Sequence, residues 1–275
     1  MNILGFLRSA ARSGAFLIFI SLALAWRVVT MPWTPASHRR RAASQWLQRT
    51  AQGCQWILGL GFKCVGPVPD SGLLVTNHLS YLDIIMLAAL RPCVFVSKKE
   101  VRSWPIFGTC AQLGGTIFVD RSRRCNVAGV SNQIGEVLGE GLLIVLFPEG
   151  TSSDGAEVLP FKSALIEPAL RLGCPVAAAA IGYRIENGSV ADEICFVKEM
   201  SLLPHLLNVF AMPSIRAELR CGAARPRSGE RKALAVELHA ETTALHAALF
   251  APPDSARERE RGVGAAQALK QSLPV

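Results

Sequence analysis

His78 and Asp83 stand five residues apart in Asn77-His78-Leu79-Ser80-Tyr81-Leu82-Asp83. An imidazole is a base poised near neutral pH, and a carboxylate hydrogen-bonded to it fixes its tautomer and orientation. Such a pair can take the proton of a substrate hydroxyl without a nucleophile from the protein itself. The same stretch also has a structural reading, because Ser80-x-x-Asp83 is a helix capping box. Two further polar clusters follow apolar runs: Asp120-Arg121 after Gly115–Val119, and Pro148-Glu149-Gly150-Thr151-Ser152-Ser153 after residues 142–147. The planar fork of Arg121 suits a phosphate, Gly150 lets backbone N–H groups approach an anion, and Thr151 adds a hydroxyl donor. Lys162, expected to open a helix, adds positive charge. With His78 and Asp83 as the catalytic pair, the candidate substrate-binding set is Asn77, Arg121, Glu149, Gly150, Thr151 and Lys162. Taken singly, each binding candidate is as readily an ordinary turn or surface residue.

The elements that must position these groups are legible from residue 65 onward, where short apolar runs alternate with amphipathic segments. Strands are predicted at 73–76, 93–97, 116–119, 142–147, 175–182 and 194–197, and helices at 81–90, 104–112, 124–139, 161–172 and 229–249. Continuous runs such as Leu142–Phe147 suit strands covered on both faces, and their alternation with helices predicts an α/β fold with a mostly parallel central sheet. Ligands of such sheets gather outside the carboxyl ends of the strands, where all three polar clusters fall.

Before this domain (residues 61–250) lies an N-terminal region, 1–60, predicted to form a membrane-associated helical hairpin. Residues 13–26 are uncharged and apolar between Arg12 and Arg27, shorter than the ~20 residues of a spanning helix. Reading on past Arg27, whose side chain can snorkel, to Trp33 and Pro35 lengthens the segment and keeps a spanning helix open. Basic residues flank both ends (Arg8 and Arg12; Arg39-Arg40-Arg41), so charge sets no orientation, and a helix dipping into one leaflet fits. Ala23-Leu24-Ala25 also resembles a signal cleavage site, but the eight singly dispersed cysteines suit a protein retained in a reducing compartment. The tail 251–275 is charged and Ala/Gly-rich and is expected to be disordered.

Composition narrows the class of partner. Half of the chain is apolar and its net charge is +8, a combination that favours an anionic membrane surface. Only two Tyr occur, and no Arg-rich stretch interleaves with aromatics, so nucleic acid is disfavoured. No C-x-x-C pair occurs and His number five, which disfavours a zinc site. No G-x-S-x-G elbow is present, which argues against a lipase-like hydrolase.

The ordered blocks resemble the glycerolipid acyltransferases of the 1-acylglycerol-3-phosphate acyltransferase type. His78-x-x-x-x-Asp83 is similar to the family's first block, Gly115–Arg121 to its second, and Phe147-Pro148-Glu149-Gly150-Thr151 to its third. Cys174-Pro175-Val176 through Ile181 is a looser match to the fourth, and the resemblance covers about residues 60–200. It implies transfer of a fatty acyl group from acyl-CoA or acyl-carrier protein to a lysolipid hydroxyl, lysophosphatidate being the default acceptor, at an inner or cytoplasmic membrane with the active site facing the cytoplasm. It further implies His78 as general base, Asp83 as its orienting partner, Arg121, Glu149, Gly150 and Thr151 on the head group, and neither metal nor cofactor. Backbone N–H groups opening the 81–90 helix are expected to help hold the oxyanion. Ser152 stands where the family usually has an arginine, a loss of about 1.5–3 kcal/mol toward a phosphate. An acceptor without a terminal phosphate, such as a lyso-ornithine lipid, is therefore the alternative, and Glu149–Gly155 resembles that branch. A non-catalytic membrane-binding module is the rival from another class, disfavoured by the intact His78/Asp83 pair.

Overall fold

The computed structural model describes residues 3–120, 124–197 and 200–250. Arg121 and the 251–275 tail lie outside these residues. In chain order the helices and strands are α1 (Ile3–Thr30), α2 (Arg39–Leu58), β1 (Leu60–Val65), β2 (Gly72–Thr76), α3 (Tyr81–Leu90), β3 (Cys93–Lys98), α4 (Phe107–Leu113), β4 (Ile117–Val119), α5 (Arg124–Gly139), β5 (Leu143–Leu146), α6 (Glu167–Arg171), β6 (Pro175–Ile185), α7 (Val190–Glu193), α8 (Leu202–Ala211), β7 (Ile215–Cys221), β8 (Arg225–Pro226) and α9 (Arg231–Leu249).

The strands form one sheet in the order β1-β7-β6-β2-β5-β3-β4, with β8 against β6. Pairing is parallel except where β6 meets β7 and β8. Each continuous apolar strand divides its side chains between two cores, because successive residues point to opposite faces. Leu74, Leu143, Val145, Ala177, Ala179 and Ile181 face the core shared with α2, α3 and α8. Leu73, Val75, Ile144, Leu146 and Val176 face the core under α5 and α9.

Several elements differ from expectation. The segment predicted as a strand at 194–197 is a loop; Phe196 N–H donates to Leu79 O at 2.8 Å, so its apolar residues seal the site rather than extend the sheet. The helix expected over 161–172 is confined to Glu167–Arg171. Pro168 dictates this, since a proline is tolerated in the first helical turn but breaks a helix interior. Pro105 likewise delays the 104–112 helix to Phe107. Strands β1 and β7 and helix α8 were not expected, although Ile215–Cys221 alternates buried and outward-facing residues along its length.

The N-terminal apolar segment runs on past Arg27, and α1 is long and apolar enough to cross a membrane by length and composition. One face of it is nevertheless latched to the domain. Arg8 donates to the Ala211 carbonyl at 2.8 Å, and Arg12 donates to Met212 at 2.6 Å. These arginines, read in sequence as membrane flanks, instead meet the orphan carbonyls and negative dipole end of α8. Ser9 donates to Leu207, while Phe16 and Ile20 enter the core beside Phe210. The opposite face exposes Leu4, Leu7, Ile18, Leu22 and Val29.

Gly72 starts β2 with φ +93°, and a side chain there meets the Pro175 carbonyl oxygen of the neighbouring strand. Gly72→Ala is expected to destabilise the fold by at least about 2 kcal/mol, combining backbone strain with displacement of β6. A fall in the thermal unfolding midpoint checks this.

Candidate active site

Strand β2 ends at Thr76, and the next two residues are aimed by different means. Asn77 is buried, with its Oδ1 accepting from Ile181 N–H at 2.8 Å and its Nδ2 donating to Ile181 O at 3.0 Å. The amide thus stands in for a strand residue and staples the β2 exit to β6. His78 then turns outward with its ring stacked on Phe147, 4.1 Å between centroids. Its Nδ1 lies 2.8 Å from Asp83 Oδ2. With a carboxylate as partner, Nδ1 carries the proton and Nε2 keeps its lone pair for a substrate.

Asp83 is fully buried at the third position of α3. Its Oδ2 also accepts from the backbone N–H of Leu79 at 2.7 Å and of Ser80 at 3.0 Å. Its Oδ1 accepts from the Tyr183 hydroxyl at 2.6 Å. The capping role and the His-orienting role therefore belong to the same carboxylate. Asp83 N–H donates to Ser80 O, so the amides of Leu79, Ser80 and Asp83 are all engaged, and none of the three is open to an oxyanion. Burial, then the charge of Asp83, pushes the Tyr183 hydroxyl well above its ordinary pKa, so it remains a donor.

Strand β5 neighbours β2, and its exit loop closes on His78. Ser153 N–H donates to His78 O at 2.9 Å, and Ser152 Oγ donates to Phe196 O. Three loops are thereby laced around His78. Glu149 is buried, its Oε1 accepting from Leu159 N–H at 3.3 Å and its Oε2 without a partner among the described residues. Burial pushes its carboxyl up to about 8 against the opposing pull of the Leu159 and His78 backbone N–H groups, with the nearby Asp83 charge adding a smaller upward push. Beside this polar floor, between α1, α2, α3 and β3, lies an apolar pocket of about 110 Å³ lined by Phe16, Ile20, Tyr81, Ile84, Phe95 and Phe107 among others. Its wall at Ile106 is a strained γ-turn with φ 63° and Phe107 N–H returning to Pro105 O. Among the described residues no group of three or more His, Cys, Asp or Glu is placed to hold a metal ion.

The sequence profile of the Acyltransferase family matches residues 65–182. A Neisseria meningitidis serogroup B protein named 1-acyl-sn-glycerol-3-phosphate acyltransferase is 33% identical over 66% of this chain and 73% of its own length. A Brucella abortus lyso-ornithine lipid O-acyltransferase is 35% identical over 69% of this chain and 77% of its own. The chain belongs to the glycerolipid acyltransferase family. The crystal structure of the Thermotoga maritima PlsC acyltransferase shares the fold, with TM-score 0.66 over 91% of this chain and 97% of that one at 18% identity.

In this acyltransferase the first and third sequence blocks meet across neighbouring strands. The second lies three strands from β2, where Asp120 pairs with Lys99 at 3.1 Å; Arg121 falls outside the described residues. Gly150, at φ +75°, uses its N–H to close a turn on Phe147 O at 3.1 Å. Thr151 is half-buried in the same loop, its hydroxyl 3.4 Å from Ser152 O. Lys162 is exposed in an extended segment rather than on a helix, tied to the loop only through its backbone N–H to Pro148 O at 2.9 Å. Sequence reasoning missed Tyr183 and Phe147 as partners of the pair. A lone tyrosine two residues beyond the apolar Val176–Ile181 run was the available signal for Tyr183.

Two outcomes follow from this geometry. Tyr183→Phe removes a hydrogen bond to a buried carboxylate, worth about 1.5–3 kcal/mol, and is expected to lower kcat about tenfold or more with little change in KM, read from steady-state kinetics. Glu149, raised from 4.5 to about 8, favours folding fully below 4.5 and loses that contribution as pH rises toward 8. The difference in unfolding midpoint between Glu149→Gln and the parent is therefore expected to grow in the variant's favour across that window and level off above it. A difference independent of pH contradicts the buried, protonated carboxyl.

Proposed function

We propose that this protein is a membrane-associated O-acyltransferase that moves a fatty acyl group from acyl-CoA or acyl-carrier protein to the hydroxyl of a lysolipid, with 1-acyl-sn-glycerol-3-phosphate as acceptor and phosphatidate as product. The observation that carries the reading is the anchored His78–Asp83 pair beside an apolar pocket. His78 Nε2 takes the acceptor's hydroxyl proton, and the oxygen attacks the thioester carbonyl. The tetrahedral oxyanion collapses, the C–S bond breaks, and the thiolate leaves with the proton returned by His78. Asp83 holds the imidazole and stabilises the imidazolium in between. The pocket under Phe95 receives the acyl chain. Protons and electron pairs are handled by His78 and the substrates, so the reaction as proposed draws on no metal or cofactor.

The exposed face of α1, with Trp26, Trp33 and Trp56 66%, 86% and 84% exposed, suits a bilayer interface. The inner-face hydrogen bonds to α8 favour a helix resting on the cytoplasmic membrane over one that spans it, with the active site facing the cytoplasm.

A second acceptor is favoured by one observation. Ser152, in the position of the family's usual arginine, turns its hydroxyl into the Phe196 carbonyl and offers no cation to a phosphate. An acceptor without a terminal phosphate, such as a lyso-ornithine lipid, fits that wall. Purified full-length protein presented with labelled acyl-CoA or acyl-carrier protein and both lysolipids separates the readings by product. His78→Ala is expected to lower transfer about a hundredfold to ten-thousandfold with either acceptor. Near-parental activity in that variant refutes the base assignment, and acylation of neither lysolipid refutes the acceptor class.

A further inference from the structure

Helices α1 and α2 diverge around a second cleft, of about 300 Å³, separated from the apolar pocket by Thr50, which lines both. Its polar lining is Arg27, Arg49, Thr30, Thr34 and Gln45, and no acidic residue lines it. Arg27 is only 5% exposed. Its Nε donates to Leu113 O at 3.3 Å, and among the described residues neither Arg27 nor Arg49 has an acidic partner. A guanidinium stays charged at any relevant pH, and lining a largely apolar cleft with no acidic residue leaves it in want of an anion. Its place in the last turn of α1 favours a cation through the helix dipole, but neither that dipole nor a single carbonyl contact supplies a counter-charge.

The surroundings indicate where a counter-charge comes from. Phe19, Ala23, Trp26 and Trp46 form the apolar part of the cleft. Along α1 the adjacent stripe of Ile18, Leu22, Trp26 and Val29 is exposed. An anion carried on acyl chains satisfies both features together: its charge meets Arg27 and Arg49 while its chains follow the exposed stripe. A small soluble anion leaves the stripe uncovered.

We propose that the α1–α2 cleft binds the head group of a membrane phospholipid of net negative charge, one whose phosphate has no cation of its own beside it, at a site separate from His78. The bound lipid neutralises Arg27, bridges the two N-terminal helices and holds the domain in register with the membrane surface.

The test uses full-length protein in neutral detergent, where no charged surface contributes, titrated with short-chain phosphatidylglycerol and followed by tryptophan fluorescence. Saturation at one lipid per chain is expected. Arg27→Gln and Arg49→Gln are each expected to weaken binding about tenfold, the loss of one charge-assisted hydrogen bond. Arg41→Gln, an exposed change on α2 outside the cleft, is expected to leave it unaltered. Arg49 is exposed, so its variant reports on binding even if Arg27→Gln disturbs the helix packing. Equal binding of short-chain phosphatidylcholine, or equal weakening by Arg41→Gln, overturns the site. Displacement of the lipid by inorganic phosphate at the lipid's own affinity overturns the lipid as occupant and assigns the cleft to a free anion.

Discussion

A carboxylate removed from water must have its lone pairs met, and Asp83 meets four donors in a fully buried position. Two come from the backbone immediately before α3, one from the His78 ring and one from Tyr183 on β6. Because hydrogen bonds to a charged group are roughly twice as strong as neutral ones, this centre ties the helix start, the β2 exit and β6 into one rigid object. The His78 ring is one of its donors, so its aim depends on the same balance that holds the fold at this point. Asn77 reinforces that geometry from the other side by pairing with Ile181.

The environment around this centre grades from charged to apolar over a short distance. Glu149, buried beside Asp83, avoids a second negative charge by holding its proton. Phe147 and Phe95 stack from the imidazole toward the pocket at centroid distances of 4.1 and 6.4 Å. His78 thus stands at the boundary between a polar floor and an apolar cavity. The N-terminal helices contribute directly to that cavity through Phe16, Ile20 and Leu47. They therefore complete the wall of the site as well as presenting an apolar outer face.

Legibility in sequence followed the range of the interaction. Periodicity exposed β2, β3, β5 and β6 because burial on both faces demands unbroken apolar runs. It missed β1 and β7, the edge pair, whose mixed Lys, Arg and Glu residues face outward on one side. The helix predicted over 161–172 is cut to Glu167–Arg171 because Pro168, which covalent geometry forbids in a helix interior, fixes its start. Arg8 and Arg12 flank an apolar segment in sequence, and nothing near them in the chain announces the carbonyls of α8, some 200 residues away.

What the sequence determined by itself was the chemistry: the His78–Asp83 spacing, the capping box it shares, the ordered blocks of the family and the apolar N-terminal segment. These are local properties, set by bond lengths, helix pitch and side-chain type. Tertiary structure alone decided that Tyr183, 100 residues from Asp83, completes its hydrogen bonds, that Glu149 is buried and Lys162 is not, and that Arg27 lacks an acidic partner among the described residues. Those outcomes depend on which strands lie side by side and which helix faces meet, and spacing along the chain carries no record of either.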